Sequence, residues 1–348
     1  MMSEELEAEI LWRIEGAAGV IVLNRPAALN ALTLNMVRQI NLALDAYERL
    51  PQVTRVIVRG AGEKAFCAGG DIRLLYEQGK AGNHAAQLAF WCEEYLLNMR
   101  IKHFAKPIIS LINGIVMGGG VGVSQHGTFR VASESYMFAM PEVGIGFFPD
   151  VGATYFLPRL PDRFGVMLAL TGTRVKVADA VAFGLVDAHV PSAKFDALEA
   201  SLAAGVDVAG AITAFAVPVQ PGPYYEHRAE IAAWFAPEAP VAVMEHLKRS
   251  GSTLGLKLLA DMETKSAFSV AIAAEQMRRG ALLEFDEAMR IEYRIVSRIC
   301  TTQDFYEGVR AVLIEKGAVP KWEYANIRQV PEARIAGMFA PLPSGELG

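Results

Sequence analysis

MFAMPEVGIGFFPDVGATYFLPRL, residues 137–160, is the stretch that decides both the fold and the chemistry expected of this chain. Glu142 and Asp150 are its only acids, and most of the remaining residues are apolar or glycine. Burial of an ionised carboxylate costs several kcal/mol unless partners compensate. We therefore expect the two acids either to be paired structurally or to be placed there for catalysis.

Two glycine turns precede this stretch: AFCAGGDI at residues 65–72 and MGGG at residues 117–120. Consecutive glycines let a backbone approach a ligand closely and leave amide N–H groups exposed. Asp71 is suited to cap a following helix. Each turn alone is also typical of tight packing with no function. The second turn, continued as GGGVGV, matches neither a dinucleotide fingerprint nor a phosphate-binding loop.

Taken together, the turns and the acids favour acyl transfer. A thioester carbonyl is activated when two backbone N–H donors hold its oxygen as charge develops. Two separate glycine turns can each provide one donor. A carboxylate on a third element then acts as general base or nucleophile, a role open to Glu142.

Composition sets the wider limits. The 348 residues are 52% hydrophobic, enough for a sizeable core, and the net charge of −5 offers no footprint for nucleic acid or an anionic membrane. An anionic ligand would need a local basic patch. The three cysteines and six histidines show no metal-type spacing, so we expect no metal site.

Location is predicted from two segments. The acidic N-terminus, MMSEELEAEI, has neither a signal-peptide core nor transit-peptide character, which predicts a cytoplasmic protein. Residues 107–129 contain no Asp, Glu, Lys or Arg and are long enough to span a bilayer. Six glycines and several polar residues in that segment favour a buried strand, turn and helix instead.

Periodicity predicts an α/β core over residues 1–200, followed by a predominantly helical region over residues 201–348. The predicted strands of the core are 10–14, 20–23, 55–59, 108–112, 128–132, 136–139 and 186–190. Its predicted helices are 34–50, 85–100, 151–157, 163–170 and 178–183. The strongest helical segments of the second region are 271–283 and 285–299.

Five motifs in order resemble the crotonase (enoyl-CoA hydratase/isomerase) superfamily, and within it most closely the 3-hydroxyisobutyryl-CoA hydrolases. The resemblance covers nearly the whole chain and implies a spiral of strand–strand–helix turns with an appended helical C-terminal region. The motifs are NRPAALNAL (24–32), AFCAGGDI (65–72), NGIVMGGG (113–120), MPEVGIGFFPDVG (140–152) and DFYEGVRAVLIEKGAVPKW (304–322).

The resemblance also implies roles for individual residues. The amides of Gly70 and Gly119 would form an oxyanion hole, Glu142 and Asp150 would be the catalytic carboxylates, and Glu94 would lie near the substrate. The expected substrate-binding residues are Arg25, Lys64, Ala68 and Asp71, with Arg73 and Lys316 as further candidates for the phosphates of coenzyme A.

The implied activity is hydrolysis of a small, branched 3-hydroxyacyl-CoA in valine breakdown, with CoA as part of the substrate and no separate cofactor. Glu142 would attack the thioester carbonyl or activate a water. Asp150 would bind the 3-hydroxyl group or handle protons.

One departure separates this chain from the hydratases, which carry a glutamate where it has Gly122. An enoyl-CoA hydratase or isomerase with a relocated acid is the alternative enzyme. A non-catalytic CoA-binding or scaffold protein is the alternative from another class. Crotonase relatives often form trimers or hexamers, and the extended C-terminus here is able to occupy that surface, which leaves a homo-oligomer open.

Overall fold

The computed structural model describes residues 8–348. Seven of the ten N-terminal residues that suggested a cytoplasmic protein lie outside this range. The described residues form ten strands: β1 (Ile10–Glu15), β2 (Ala18–Leu23), β3 (Arg55–Gly60), β4 (Ala65–Cys67), β5 (Ile108–Ile112), β6 (Ile115–Met117), β7 (Phe129–Ala132), β8 (Met137–Ala139), β9 (Val175–Lys176) and β10 (Ala188–His189).

The α-helices between and after the strands are α1 (Leu34–Arg49), α2 (Ile72–Lys80), α3 (His84–His103), α4 (Gly119–Gln125), α5 (Ala153–Phe156), α6 (Phe164–Thr171), α7 (Val177–Ala182), α8 (Phe195–Ala203), α9 (Val208–Phe215), α10 (Pro223–Glu226), α11 (Arg228–Trp234), α12 (Pro240–Ser250), α13 (Thr253–Glu263), α14 (Ala267–Gly280), α15 (Phe285–Ile299), α16 (Gln303–Val309) and α17 (Glu332–Phe339). Short 3₁₀ turns occur at Pro26–Ala28, Glu142–Ile145, Leu157–Arg159, Pro161–Arg163, Ser192–Lys194 and Ile327–Gln329, and a π-helical turn at Arg310–Ile314.

The strands build two sheets. The larger has the order β1-β2-β3-β5-β7-β10 and is parallel except for β1, and the smaller has the order β4-β6-β8-β9 and is parallel except for β9. The pairs β3/β4, β5/β6 and β7/β8 each place one strand in each sheet. Successive turns of chain therefore stack on one another, as the predicted spiral requires.

Both faces of the larger sheet are buried at its centre, whereas the edge strand β1 is largely exposed. Val56 and Val58 of β3 face the main core, whereas Ile57 faces a second core that α8 and α9 cover. The alternation explains why parallel strands of this sheet are continuously apolar in sequence. Residues 107–129 form β5, β6 and α4, which is the buried alternative to a membrane span. No helix within residues 8–348 is long and apolar enough to cross a membrane.

Local signals predicted α1 well. Thr33 caps it by accepting the N–H of Met36 at 3.1 Å, and the helix ends at Arg49, just before Pro51. The helix predicted over 151–157 was wrong at its start, because Val151 and Gly152 have φ of +52° and +90° and cannot continue a right-handed helix.

The strand predicted over 186–190 shortens to β10, and the short strands β4, β6 and β9 were missed because two or three residues carry no readable period. In the helical region, α15 lies where it was predicted, and α14 begins four residues earlier than its prediction (267 against 271).

The helical region shares the main core with the spiral. Phe66 and Phe138 of the smaller sheet belong to the same apolar cluster as Phe268 of α14 and Ile295 of α15. The boundary predicted at residue 200 falls within α8, whose Leu198 and Leu202 seal the second core.

Candidate active site

A cleft of about 860 Å³ collects most of the residues singled out in the sequence. The two glycine turns form one side and the 3₁₀ turn that begins at Glu142 forms another. The predicted site residues that line it are Ala68, Gly70, Asp71, Arg73, Glu94, Gly119, Glu142, Asp150 and Lys316.

Two free amides face each other across the glycine turns. Gly70 follows β4, and Gly119 is the first residue of α4, preceded by Gly118 at a φ of +45°. Within residues 8–348, neither the Gly70 nor the Gly119 N–H donates a hydrogen bond. A Cβ atom added at Gly119 would lie 3.3 Å from the nitrogen of Gly70. A substrate oxygen that enters this gap meets both donors.

Glu142 lies beside this gap. Its side chain is buried, and a Cβ atom added at Gly118 would lie 3.3 Å from Glu142 Oε1. Its Oε2 has no hydrogen-bond partner among the described residues. Burial, reinforced by the nearby charge of Asp150, raises the pKa of Glu142 well above its usual range. The carboxyl group is thus available to react with a ligand.

Within the described part of the chain, Asp150 has one side-chain partner: the hydroxyl of Tyr95 on α3 donates to its Oδ2 at 2.8 Å. Burial raises the pKa of Asp150 to about 7, and the Tyr95 hydrogen bond acts in the opposite direction. An acid with this pKa exchanges protons readily near neutral pH.

Glu94, one residue before Tyr95 on α3, is almost fully buried, and its Oε1 lacks a partner within the described chain. Burial, with the charges of Asp150 and Glu292 in addition, raises the pKa of Glu94 well above its usual value. A Cβ atom at Gly119 would overlap Glu94 Oε1, so this carboxyl group faces the oxyanion gap directly.

Sequence reasoning missed Glu292, which joins Glu142, Asp150 and Glu94 as a fourth buried carboxyl group of this part of the molecule. Burial, with the nearby charge of Asp150, raises its pKa to about 8. The available signal was its place on α15, where it stands on the apolar face with Ala288 and Ile295, four and three residues away. An acid on the buried face of a helix is a candidate functional residue for the same reason as the two acids in residues 137–160.

An aromatic wall closes the inner end of the cleft. Trp91 and Phe147 stack with ring centroids 5.5 Å apart and planes 19° from parallel, and Phe90 packs edge-on against Trp91. All three rings line the cleft. These rings give this part of the cleft an apolar lining.

Four cations border the cleft: Arg73 and Lys316, as expected, and Arg174 and Lys265, which the sequence did not single out. Burial lowers the pKa of Lys265. Nothing in the sequence pointed to Arg174 and Lys265, because both lie far along the chain from the two glycine turns. Such cations suit the phosphates of an anionic ligand on an acidic protein.

Arg25, Lys64 and Asp71 occupy less direct positions. Arg25 is engaged with Glu9 at 3.1 Å and with Asp71 at 3.2 Å, and neither Arg25 nor the exposed Lys64 is among the residues that line the cleft. Asp71 lines the cleft and also caps α2 by accepting the N–H of Leu74 at 3.3 Å. Ligand contacts by Arg25 and Lys64 stay predictions.

Gly122 has no space for a side chain. A Cβ atom there would lie 2.8 and 2.9 Å from the amide atoms of Asn98 and 2.9 Å from Cβ of Val151. Real Cβ atoms almost never come this close to other atoms. The position that carries a glutamate in the hydratases is therefore filled here by neighbouring side chains.

The structure does not support a serine or cysteine nucleophile at Ser124 or Cys67. The Ser124 hydroxyl donates to the carbonyl of Gly120 at 2.8 Å, and His126 binds the carbonyl of Val151 at 2.6 Å, so the two do not pair. Burial raises the pKa of Cys67 to about 12, which keeps its thiol protonated. No group of three potential metal ligands occurs among residues 8–348.

Comparison with known proteins places the chain in a class. Residues 18–339 match the family model described as enoyl-CoA hydratase/isomerase. The chain belongs to this family, the crotonase superfamily, which confirms the predicted fold class.

Similar proteins with established names indicate a more specific activity within this family. A mitochondrial 3-hydroxyisobutyryl-CoA hydrolase of Danio rerio is 43% identical over 100% of this chain and 93% of its own length, and that of Homo sapiens is 41% identical over 99% and 92%. Their mitochondrial names do not support the cytoplasmic expectation.

Two solved structures resemble the whole chain. A carnitinyl-CoA dehydratase from Mycobacterium thermoresistibile has a TM-score of 0.93 at 37% identity and covers 98% of both chains. An enoyl-CoA hydratase from Rhodobacter sphaeroides has a TM-score of 0.90 at 38% identity, covering 98% of this chain and 100% of its own.

Proposed function

We propose that this protein hydrolyses 3-hydroxyisobutyryl-CoA to 3-hydroxyisobutyrate and CoA, a step of valine breakdown. The observation that carries the proposal is the unpartnered carboxyl group of Glu142 beside the free amides of Gly70 and Gly119. Similarity to named hydrolases over the full length of the chain supports the same substrate.

The reaction begins with the thioester oxygen in the gap between the two amides. Because its pKa is raised, Glu142 first has to lose its proton; the carboxylate then attacks the carbonyl carbon, or removes a proton from a water that does so. The developing negative charge on the oxygen is stabilised by the Gly70 and Gly119 N–H groups. The carbon–sulfur bond then breaks, and CoA leaves as a thiolate. In the nucleophilic route, water subsequently cleaves the acyl–Glu142 anhydride.

Asp150 and Glu94 would serve the acyl end. Both line the cleft near the aromatic wall, and both have raised pKa values, so each can donate a hydrogen bond in its protonated form. A 3-hydroxyl group between them finds both donor and acceptor atoms. Asp150, with a pKa of about 7, is the better placed to pass a proton to the departing thiolate.

The CoA portion would extend away from the aromatic wall toward the cations at the rim. Arg73, Arg174, Lys265 and Lys316 all line the cleft. None of the four forms an ion pair with an acid of the described residues. Their charge is thus free to neutralise phosphates.

Hydration of an enoyl-CoA is the second candidate, because two solved structures that resemble the whole chain are named a carnitinyl-CoA dehydratase and an enoyl-CoA hydratase. Hydration uses two acids that bracket one water. The crowding at Gly122 argues against it, since an acid at that position has no room. Asp150 and Glu94 are the other carboxyl groups of the cleft that could supply the second acid.

The two activities are separated by parallel assays on the purified protein. Thiol release from 3-hydroxyisobutyryl-CoA reports hydrolysis, and loss of enoyl absorbance from crotonyl-CoA reports hydration. We expect rapid thiol release and negligible hydration. Hydration without thiol release would support the alternative enzyme, and binding of CoA esters without either reaction would support a non-catalytic protein.

A further inference from the structure

The loop that carries Asp150 has an unfavourable backbone. Within residues 149–154, called here the Asp150 loop, Val151 has a φ of +52° and Gly152 a φ of +90°. The left-handed region is strongly disfavoured for a β-branched residue such as valine. Such a conformation persists only where the surrounding structure holds it, and it is concentrated at functional sites.

Glu292 of α15 holds one side of this loop. Its Oε2 accepts the N–H of Gly152 at 2.7 Å, and its Oε1 accepts the N–H of Thr154 at 2.9 Å. The side chain is fully buried. Gly152 offers no side chain to cap the short helix α5, so the cap is provided from a position 140 residues further along the chain.

Gln276 of α14 holds the other side. Its Nε2 donates to the carbonyl of Pro149 and, at 2.7 Å, to the hydroxyl of Thr154. The side chain has no exposure to solvent. Glu292 and Gln276 therefore bind groups on both sides of Asp150, whereas a cap for α5 alone would require only the contacts at Gly152 and Thr154.

We propose that Glu292 and Gln276 are positioning residues, which fix the strained Asp150 loop so that the carboxyl group of Asp150 points into the cleft. The helical C-terminal region is then part of the catalytic apparatus, although neither residue lines the cleft. This inference rests on the proposed function, since it assigns Asp150 a role in thioester hydrolysis.

A double-mutant cycle tests the coupling. Glu292→Gln keeps the size of the side chain but replaces one of the two accepting oxygens by an NH₂ group. We expect kcat for thiol release from 3-hydroxyisobutyryl-CoA to fall by about 10²-fold, as for a misplacement near 1 Å, with little change in KM. In the Asp150→Asn background the same substitution should lower kcat by less than twofold, because there is no carboxylate left to position.

The matched control is Glu199→Gln. Glu199 is another buried carboxylate, paired with Arg13 and with Arg59 at 2.8 Å on the far side of the larger sheet. It should lower Tm and leave kcat unchanged in both backgrounds. Equal losses of kcat from Glu292→Gln with and without Asp150, or equal effects of the Glu292 and Glu199 variants, would show a purely structural role.

A crystal structure of the Glu292→Gln variant gives an answer that requires no substrate. We expect Val151 to leave its positive φ and Asp150 Oδ2 to move beyond hydrogen-bonding distance of the Tyr95 hydroxyl. An unchanged loop would overturn the inference. If this variant does not fold, the crystal structure of Gln276→Leu, which removes the contact with Pro149, provides the same test of the loop conformation. Absence of thiol release by the wild-type protein would refute only the proposed function. The crystal structure of the variant would still decide whether Glu292 holds the Asp150 loop in place.

Discussion

At position 119 only glycine leaves room for a substrate oxygen. An added Cβ atom would overlap Glu94 Oε1 and lie in front of the Gly70 amide. We predict that Gly119→Ala lowers kcat by about 10²- to 10³-fold, the usual result of losing one oxyanion donor. The measurement is thiol release at saturating substrate.

The control for this variant is Gly337→Ala on α17, where an added Cβ atom meets nothing within 4 Å. It should keep wild-type kcat. Wild-type kcat in Gly119→Ala would exclude the oxyanion assignment.

The raised pKa of Asp150 has a consequence for stability. Its pKa rises from 3.8 to about 7, so the folded protein keeps a proton that the unfolded chain has lost between these pH values. The free energy of unfolding therefore falls as pH increases through this range. We predict that Asp150→Asn, which cannot ionise, raises Tm at pH 8 relative to wild type while it abolishes most of the activity.

Scanning calorimetry at pH 5 and pH 8 measures this effect. Glu63→Gln is the control, because Glu63 is exposed and belongs to a turn far in sequence from Asp150, and this variant should show the wild-type change in Tm between the two pH values. A lower Tm for Asp150→Asn at pH 8 would contradict the assignment of a costly buried charge at this position.

Some residues of the cleft could be singled out from the sequence by a rule of burial, and their catalytic roles stay predictions. Glu142 and Asp150 were identifiable as acids in an apolar run, and Gly70 and Gly119 through the glycine turns together with the family motifs. Glu292 was not, because an amphipathic helix normally carries acids, and only the packing shows which face is buried. Arg174 and Lys265 could not be predicted either, because only the folded structure brings them to the cleft.

At the scale of elements, α2 begins two residues after the Gly70 amide. The helix begins at Ile72, directly after Asp71, whose side chain accepts the N–H of Leu74. We predict that Asp71→Ala destabilises the protein by about 1 kcal/mol through loss of the cap. Asp71→Asn keeps an oxygen that can accept this bond and should cost less.

Urea unfolding of both variants measures the difference. Equal losses would mean that the ion pair with Arg25, and not the cap, is what Asp71 contributes.

Elements with strong periodicity or clear caps were predicted from the sequence, as α1 and α15 show. Elements of two or three residues were not, because β4, β6 and β9 depend on pairing with strands distant in the chain. The start of α5 was misplaced because Val151 has a positive φ, in a loop that Glu292, Gln276 and His126 contact from distant parts of the chain.

At the scale of the whole molecule, the spiral and the helical region share one core. Trp91 belongs to the predicted N-terminal region and Trp234 to the C-terminal one, yet both are part of the same apolar cluster. We predict one cooperative unfolding transition in urea, because neither region has a complete core of its own. The spiral itself was implied by the family resemblance and not by periodicity. Oligomeric state stays a prediction.

Tryptophan fluorescence tests this prediction with two variants. Trp234→Phe with Trp322→Phe leaves reporters in the N-terminal region, and Trp12→Phe with Trp91→Phe leaves reporters in the C-terminal region. We expect the same midpoint for both. Two separate midpoints would show that the regions unfold independently.

The central claim is that the Glu142 carboxylate, facing the Gly70 and Gly119 amides, cleaves a thioester. Its most direct test is thiol release from 3-hydroxyisobutyryl-CoA by Glu142→Gln, with binding of the substrate measured in parallel by calorimetry. The account predicts a loss in kcat of about 10²- to 10⁴-fold with affinity largely retained. Thiol release at the wild-type rate by this variant would contradict it.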